Sequence, residues 1–246
     1  MISYAKTDIG CSRRINQDYV FASSDQVGTL SNLFIVADGM GGHKAGDYAS
    51  RFAVEQIVSC AVEMHVTDPV VFLRKAIEKT NSLLYDEAAG SPDLEGMGTT
   101  LVIATVNNNV LYAANIGDSR LYLLRDELEQ ITRDHSLVEE MVARGRLERD
   151  SEAYRSQKNI ITRAVGIGTN VEPDIFEVPL QECDVFLMCS DGLTNMVSDA
   201  SISKILKTTD TLEEQVDNLI NLANENGGKD NIAVLLVEPQ ISEVIV

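Results

Sequence analysis

Short apolar, β-branched runs that stop abruptly at an aspartate are the feature that most restricts the fold open to this chain. Leu33-Phe34-Ile35-Val36-Ala37 halts at Asp38-Gly39, Val185-Phe186-Leu187-Met188-Cys189 at Ser190-Asp191-Gly192, and Ala113-Ala114-Asn115-Ile116 at Gly117-Asp118. Asp230-Asn231 stands immediately before a further run, Ile232 to Val237. Such runs read as buried strands. Another spans 100–106, and Asn107-Asn108-Asn109 separates it from the run at 110–116, which signals a hairpin. Gly117-Asp118-Ser119 then leads into a strand at 120–124.

Helical periodicity appears elsewhere. Ala49, Phe52, Ala53, Ile57, Cys60, Ala61 and Met64 recur at three- and four-residue steps, predicting a helix over 45–64. A second is expected over 69–88, with Asp68 as cap before a first-turn proline, and a third carries Leu212, Val216, Leu219, Ile220 and Ala223 before Gly227-Gly228 ends it. Ser136 caps a further helix to Arg144, and the polar stretch 146–158 reads as a mobile surface loop. Strands come consecutively and helices in pairs, so the class is α+β: two packed antiparallel sheets flanked by helices. No linker or repeat divides the 246 residues, which predicts one domain over 1–246.

The chemistry is suggested by the aspartates. Taken singly, each Asp-Gly is an ordinary surface turn. Four aspartates at strand margins instead point to a shared cleft, where they would repel one another unless hard divalent cations compensated them. Glycine beside them permits close backbone approach and leaves a carbonyl free as a ligand.

Composition narrows the partners. A formal net charge of −18 opposes nucleic acid and anionic membranes. No apolar run is long enough for a membrane span, and the N-terminus lacks a signal-peptide core. The four cysteines show no C-x-x-C spacing and none has an arginine six positions on, so they read as reduced thiols of a cytoplasmic protein without the thiolate-phosphatase loop. Three histidines without H-E-x-x-H spacing argue against a zinc hydrolase, and no phosphate-binding glycine loop suggests a kinase or ATPase.

Several motifs stand in order: Arg13-Arg14-Ile15-Asn16-Gln17-Asp18, Val36-Ala37-Asp38-Gly39-Met40-Gly41-Gly42-His43, Gly96-Met97-Gly98-Thr99-Thr100, Ile116-Gly117-Asp118-Ser119-Arg120, Asp134-His135-Ser136-Leu137-Val138, Cys189-Ser190-Asp191-Gly192-Leu193 and Gly228-Lys229-Asp230-Asn231. Together they resemble the metal-dependent, type 2C protein serine/threonine phosphatases, specifically the compact bacterial members, from Thr7 to about Glu238. The resemblance implies a β-sandwich flanked by helices and a hydrolase acting on phosphoserine and phosphothreonine in proteins. It implies that Asp38 bridges two Mn2+ or Mg2+ ions, that the Gly39 carbonyl binds one of them, and that Asp191 and Asp230 complete the ligands of the first ion. Asp118 with Asp191 corresponds to the ligands of a third ion, and Arg13 to the clamp on the substrate phosphate. The stretch 144–158 falls at the family's flap. A cognate Ser/Thr kinase and a monomeric enzyme are the further expectations.

The chain departs from the family at two positions. Gln17 replaces a glutamate common in eukaryotic members, and Met40 occupies the slot of a histidine assigned there as general acid. Methionine has no proton to donate, and His43 is the nearest imidazole in sequence. A non-catalytic relative that only binds phosphoproteins should have lost a metal aspartate, whereas Asp38, Asp118, Asp191 and Asp230 are all retained.

Overall fold

The computed structural model describes residues 1–42, 45–149 and 151–241. Two antiparallel sheets lie face to face. In one the order is β1 (Ile2–Asp8), β11 (Ile232–Glu238), β10 (Val185–Cys189), β7 (Arg120–Leu124) and β8 (Leu128–Gln130). In the other it is β2 (Asp18–Ser23), β3 (Leu33–Met40), β5 (Leu101–Asn107), β6 (Val110–Ile116) and β9 (Asp174–Pro179), with the short β4 (Gly98–Thr99) paired to the end of β3. The expected hairpin joins β5 to β6, and Asn108 and Asn109 both adopt positive φ (51° and 61°), as a tight primed turn requires.

The apolar runs are uninterrupted because both faces of each central strand are covered. Phe34 and Val36 point between the sheets, onto Phe186, Met188, Leu235 and Val237. Their neighbours Leu33, Ile35 and Ala37 face the other way, into a layer built on α1 (Ala45–Glu63) and α2 (Pro69–Gly90). The same alternation sends Ile232, Val234 and Leu236 against α5 (Asp191–Thr194), α6 (Asp199–Leu206) and α7 (Leu212–Glu225). Phe34 and Phe186 meet edge to face across the sandwich with centroids 5.7 Å apart. Burying each such large side chain contributes about 2 kcal/mol.

Helix ends follow local chemistry. Asp68 caps α2 by accepting from the Val71 N–H (2.9 Å), with Pro69 at the first position where its missing N–H costs nothing. Thr211 and Glu214 form a reciprocal capping box on α7. Ser136 caps α3 (Leu137–Ala143). The stretch 146–158, expected to be a loop, holds the short helix α4 (Glu152–Gln157), capped by Ser151. Its one buried side chain, Tyr154, gives too little periodicity to read.

Antiparallel pairing decides which chain ends meet. Asp38, two residues before the end of β3, pairs with Asp18, which begins β2. Ile116 ends β6 opposite Leu101, the start of β5. Cys189 ends β10 beside Arg120 and Val234, near the starts of β7 and β11. Chain exits from three strands and entries into four therefore crowd one end of the sandwich.

Candidate active site

At that end lies a cleft of about 310 Å3, lined by Arg13, Gln17, Asp38, Gly39, Met40, Thr100, Asp118, Asn159, Ile161, Asp191, Asp230 and Asn231 among others. All six site residues expected from the sequence line it. Their neighbours fix each one differently.

Asp38 is held through its backbone. Its N–H donates to Thr100 Oγ1 (3.0 Å), and its carbonyl accepts from the Thr100 N–H (2.9 Å) and from Thr99 Oγ1 (2.9 Å). Thr100 is itself steadied by a hydroxyl–hydroxyl bond to Ser119 (2.8 Å). The Gly39 N–H donates to the Gln17 carbonyl (3.0 Å), and a Cβ at Gly39 would strike the Gly46 carbonyl. Close approach, rather than an unusual φ, is what demands glycine here. Gly117 is different: its φ of 102° favours glycine, and a Cβ would also press on Thr100.

Asp191 opens α5, where Asn195 Nδ2 donates to its Oδ2 (2.8 Å). Its Oδ1 is buried with no hydrogen-bond partner among the described residues. Asp230 Oδ1 accepts from the Asn231 N–H (2.8 Å), and Oδ2 receives Arg13 Nη2 (2.7 Å). Asn231 is the bracket of this corner. Its Nδ2 donates to the carbonyls of Ile9 (2.9 Å) and Ile15 (3.0 Å), while its Oδ1 accepts from the Gln17 N–H (2.9 Å). The loop carrying Arg13 is thus tied to the start of β11, and the Gly228 carbonyl adds bonds from the N–H groups of Cys11 (2.7 Å) and Ser12 (3.1 Å).

A fifth carboxylate, Asp18, closes the first sequence motif, where no role was assigned to it. It is buried opposite Asp38 and accepts from Ser190 Oγ (2.6 Å), whose oxygen also accepts from the Ala233 N–H (2.9 Å). Asp18 Oδ1, like Asp191 Oδ1, has no partner among the described residues. The signal was present but faint: a polar residue at the mouth of the mixed strand Tyr19-Val20-Phe21-Ala22, with no glycine beside it.

Burial is the main force on these acids, and mutual repulsion adds to it. Asp18 is pushed up to about 8, against the Ser190 hydrogen bond and with the charges of Asp191 and Asp230 behind it. Asp38 is held well above the usual carboxylate range by burial and then by Asp18, Asp191, Asp118 and Asp230. Asp118 is raised to about 7 by burial, then by Asp191 and Asp134. Asp191 is raised to about 6 by burial and Asp230.

Acidic oxygens that repel one another, two of them buried and unpartnered, suit a hard dication. Among the described residues no three His, Cys, Asp or Glu side chains stand close enough as folded to hold an ion between them.

Other candidates fall outside the chemistry. Arg120 forks onto Asp134 (2.9 and 2.7 Å) in a largely buried ion pair, rather than an exposed one. Buried His135 accepts from the Gly117 N–H (3.2 Å) and pairs with Asp174 (3.2 Å), so it is structural. His65 is solvent-exposed at the end of α1. Met40 lines the cleft, and His43 lies outside the described residues.

Comparison with known proteins identifies the family. The family model described as Protein phosphatase 2C matches residues 12–236. The serine/threonine phosphatase stp of Listeria monocytogenes is 43% identical over 245 residues, covering 97% of this chain and 96% of the relative. The structure of the S. agalactiae serine/threonine phosphatase superposes with a TM-score of 0.89 at 39% identity, covering 96% of this chain and 98% of that one. The catalytic domain of the serine/threonine protein phosphatase PstP, solved in complex with 2 manganese ions, gives a TM-score of 0.84 at 37% identity, with 96% of each chain covered. The chain belongs to the protein phosphatase 2C family and sits among its bacterial serine/threonine phosphatases.

Proposed function

We propose that this cleft hydrolyses phosphoserine and phosphothreonine on protein substrates, with two Mn2+ or Mg2+ ions held by Asp38, the Gly39 carbonyl, Asp191 and Asp230. Asp118 and Asp191 would hold a third ion. The observation that carries the reading is a set of buried and half-buried carboxylates from separate strand ends, short of positive charge, in one cleft. When bound, such ions supply a water of lowered pKa and positive charge for the phosphoryl oxygens.

The chain's own residues divide the remaining work. Arg13, nearly half exposed at the cleft mouth, presents a planar fork suited to two phosphate oxygens, and its bond to Asp230 sets the reach of that fork. Asn231 keeps both in register. No side chain is needed as nucleophile. Ser190 is buried, with its hydroxyl engaged by Asp18 and the Ala233 N–H, and Cys189 is a buried thiol whose pKa burial drives upward. Met40, which lines the cleft, offers no proton to the leaving oxygen.

The substrates are phosphorylated proteins, as the names of the relatives suggest, and a Ser/Thr kinase would supply them. We place the enzyme in the cytoplasm as a monomer: its four cysteines are free thiols, suited to a reducing compartment, and no helix among the described residues is long and apolar enough to cross a membrane. The test is turnover of p-nitrophenyl phosphate with Mn2+, with and without chelator. Activity that survives chelation, or that persists in Asp38→Asn, ends the proposal.

A further inference from the structure

Beside the cleft a second concavity of about 450 Å3 is lined by Asp118 and Asp191 and also by Arg149, Tyr154, Arg155 and Lys158, while Asn159 lines both spaces. The outer ends of the segment 144–158 are pinned by backbone. The Arg144 N–H bonds the Glu140 carbonyl (3.2 Å), the Leu137 N–H bonds the Ile160 carbonyl (2.8 Å), and the Thr162 N–H bonds the His135 carbonyl (2.7 Å).

Between those pins, one buried carboxylate gathers the segment. Glu139, on α3, accepts from the Tyr154 hydroxyl at Oε1 (2.6 Å) and from Arg149 Nη2 at Oε2 (2.7 Å). The Arg149 guanidinium also lies over the Tyr154 ring, 6.0 Å from its centroid. Tyr154 is the only buried side chain of α4. Burial and the carboxylate acceptor both push its hydroxyl pKa upward, so it stays a proton donor.

We infer that Glu139, through Tyr154 and Arg149, is a positioning residue: it latches α4 so that Lys158 and Asn159 stand at the edge of the carboxylate cleft, where a protein substrate must pass. The inference rests on the phosphatase reading for its effect on substrate, but the latch itself can be measured without catalysis. A small aryl phosphate needs only the cleft, whereas a phosphopeptide also crosses the latched segment.

The experiment compares wild type, Tyr154→Phe and the double variant Glu139→Gln with Tyr154→Phe. Limited trypsin digestion reports cleavage after Arg149, Arg155 and Lys158. Loss of a hydrogen bond to a charged acceptor should open the segment about tenfold more often and speed cleavage to match. In the double variant, KM for a phosphothreonine peptide should rise about fivefold as the latched population falls, while kcat on p-nitrophenyl phosphate stays within about twofold. Wild-type cleavage rates in both variants would overturn the latch. Faster cleavage with unchanged peptide KM would overturn its role in positioning, as would an equal loss on both substrates. A wild-type protein inert toward p-nitrophenyl phosphate would sink the phosphatase reading instead, and leave the digestion result standing.

Discussion

Two groups of buried aspartates are treated in opposite ways by this fold. Asp184, whose side chain is fully buried, receives Arg125 at both oxygens (2.9 and 2.8 Å) and the Gln181 N–H as well (2.8 Å). Asp134 is answered in the same fashion by Arg120 and Gln130. At the other extreme, buried Asp18 and Asp118 and half-buried Asp38 and Asp191 lie within reach of one another, and two of their oxygens have no partner among the described residues. The first group is complete as folded and serves structure. The second is short of positive charge as folded, which is what separates a site from a strut.

The largest expected effect falls on the incomplete group. Asp38→Asn should lower turnover of p-nitrophenyl phosphate with saturating Mn2+ by about a thousandfold or more, with the far-ultraviolet circular dichroism unchanged, since electrostatic groups at a reacting centre carry several kcal/mol. Next comes the complete group. Asp184→Asn leaves Arg125 facing a weaker partner and should cost about 3 kcal/mol in urea unfolding, discounted from the fully buried case because Arg125 is partly exposed. Its turnover at low temperature should stay near wild type. Equal effects on activity from both substitutions would erase the distinction between the groups.

Metal removal sharpens the contrast further. Adding Mn2+ to about a hundred times its dissociation constant stabilises by about 2.7 kcal/mol, so chelated protein should melt roughly 5–10 °C lower. Asp184→Asn should keep that shift and Asp191→Asn should lose most of it, as differential scanning fluorimetry would show.

The smallest effect is in pH. The folded pKa of Asp118, about 7, lies above the ordinary carboxylate value, so its charge destabilises the metal-free fold above pH 7. That penalty fades as pH falls through 7 and is gone below about 4. In chelator, Asp118→Asn should therefore raise Tm by a few degrees at pH 8 and by little at pH 5. A gain independent of pH would show that the charge on Asp118 is not the cause.

Much of this was legible because the central strands have no solvent face. Leu33 to Ala37 and Val185 to Cys189 could be nothing but buried, and the first acid after each had to stand at a sheet end. Reading failed where burial is partial. β1, β2 and β9 are half-exposed and gave no clear run, and α6, eight residues long, escaped notice. Asp18 and Asn231 were harder for another reason: their importance lies in contacts across more than 170 residues of chain, with Ser190 for one and with Ile9, Ile15 and Gln17 for the other. Spacing along a sequence carries no trace of such pairings.

The three side-chain hydrogen bonds of Asn231 have one more implication. They make the N-terminal arm and the last strand a single mechanical piece, so the distance between the guanidinium of Arg13 and the carboxylate of Asp230 is set by one amide. Loops elsewhere around the rim can lengthen or change chemistry, and the reach of that arginine will not alter.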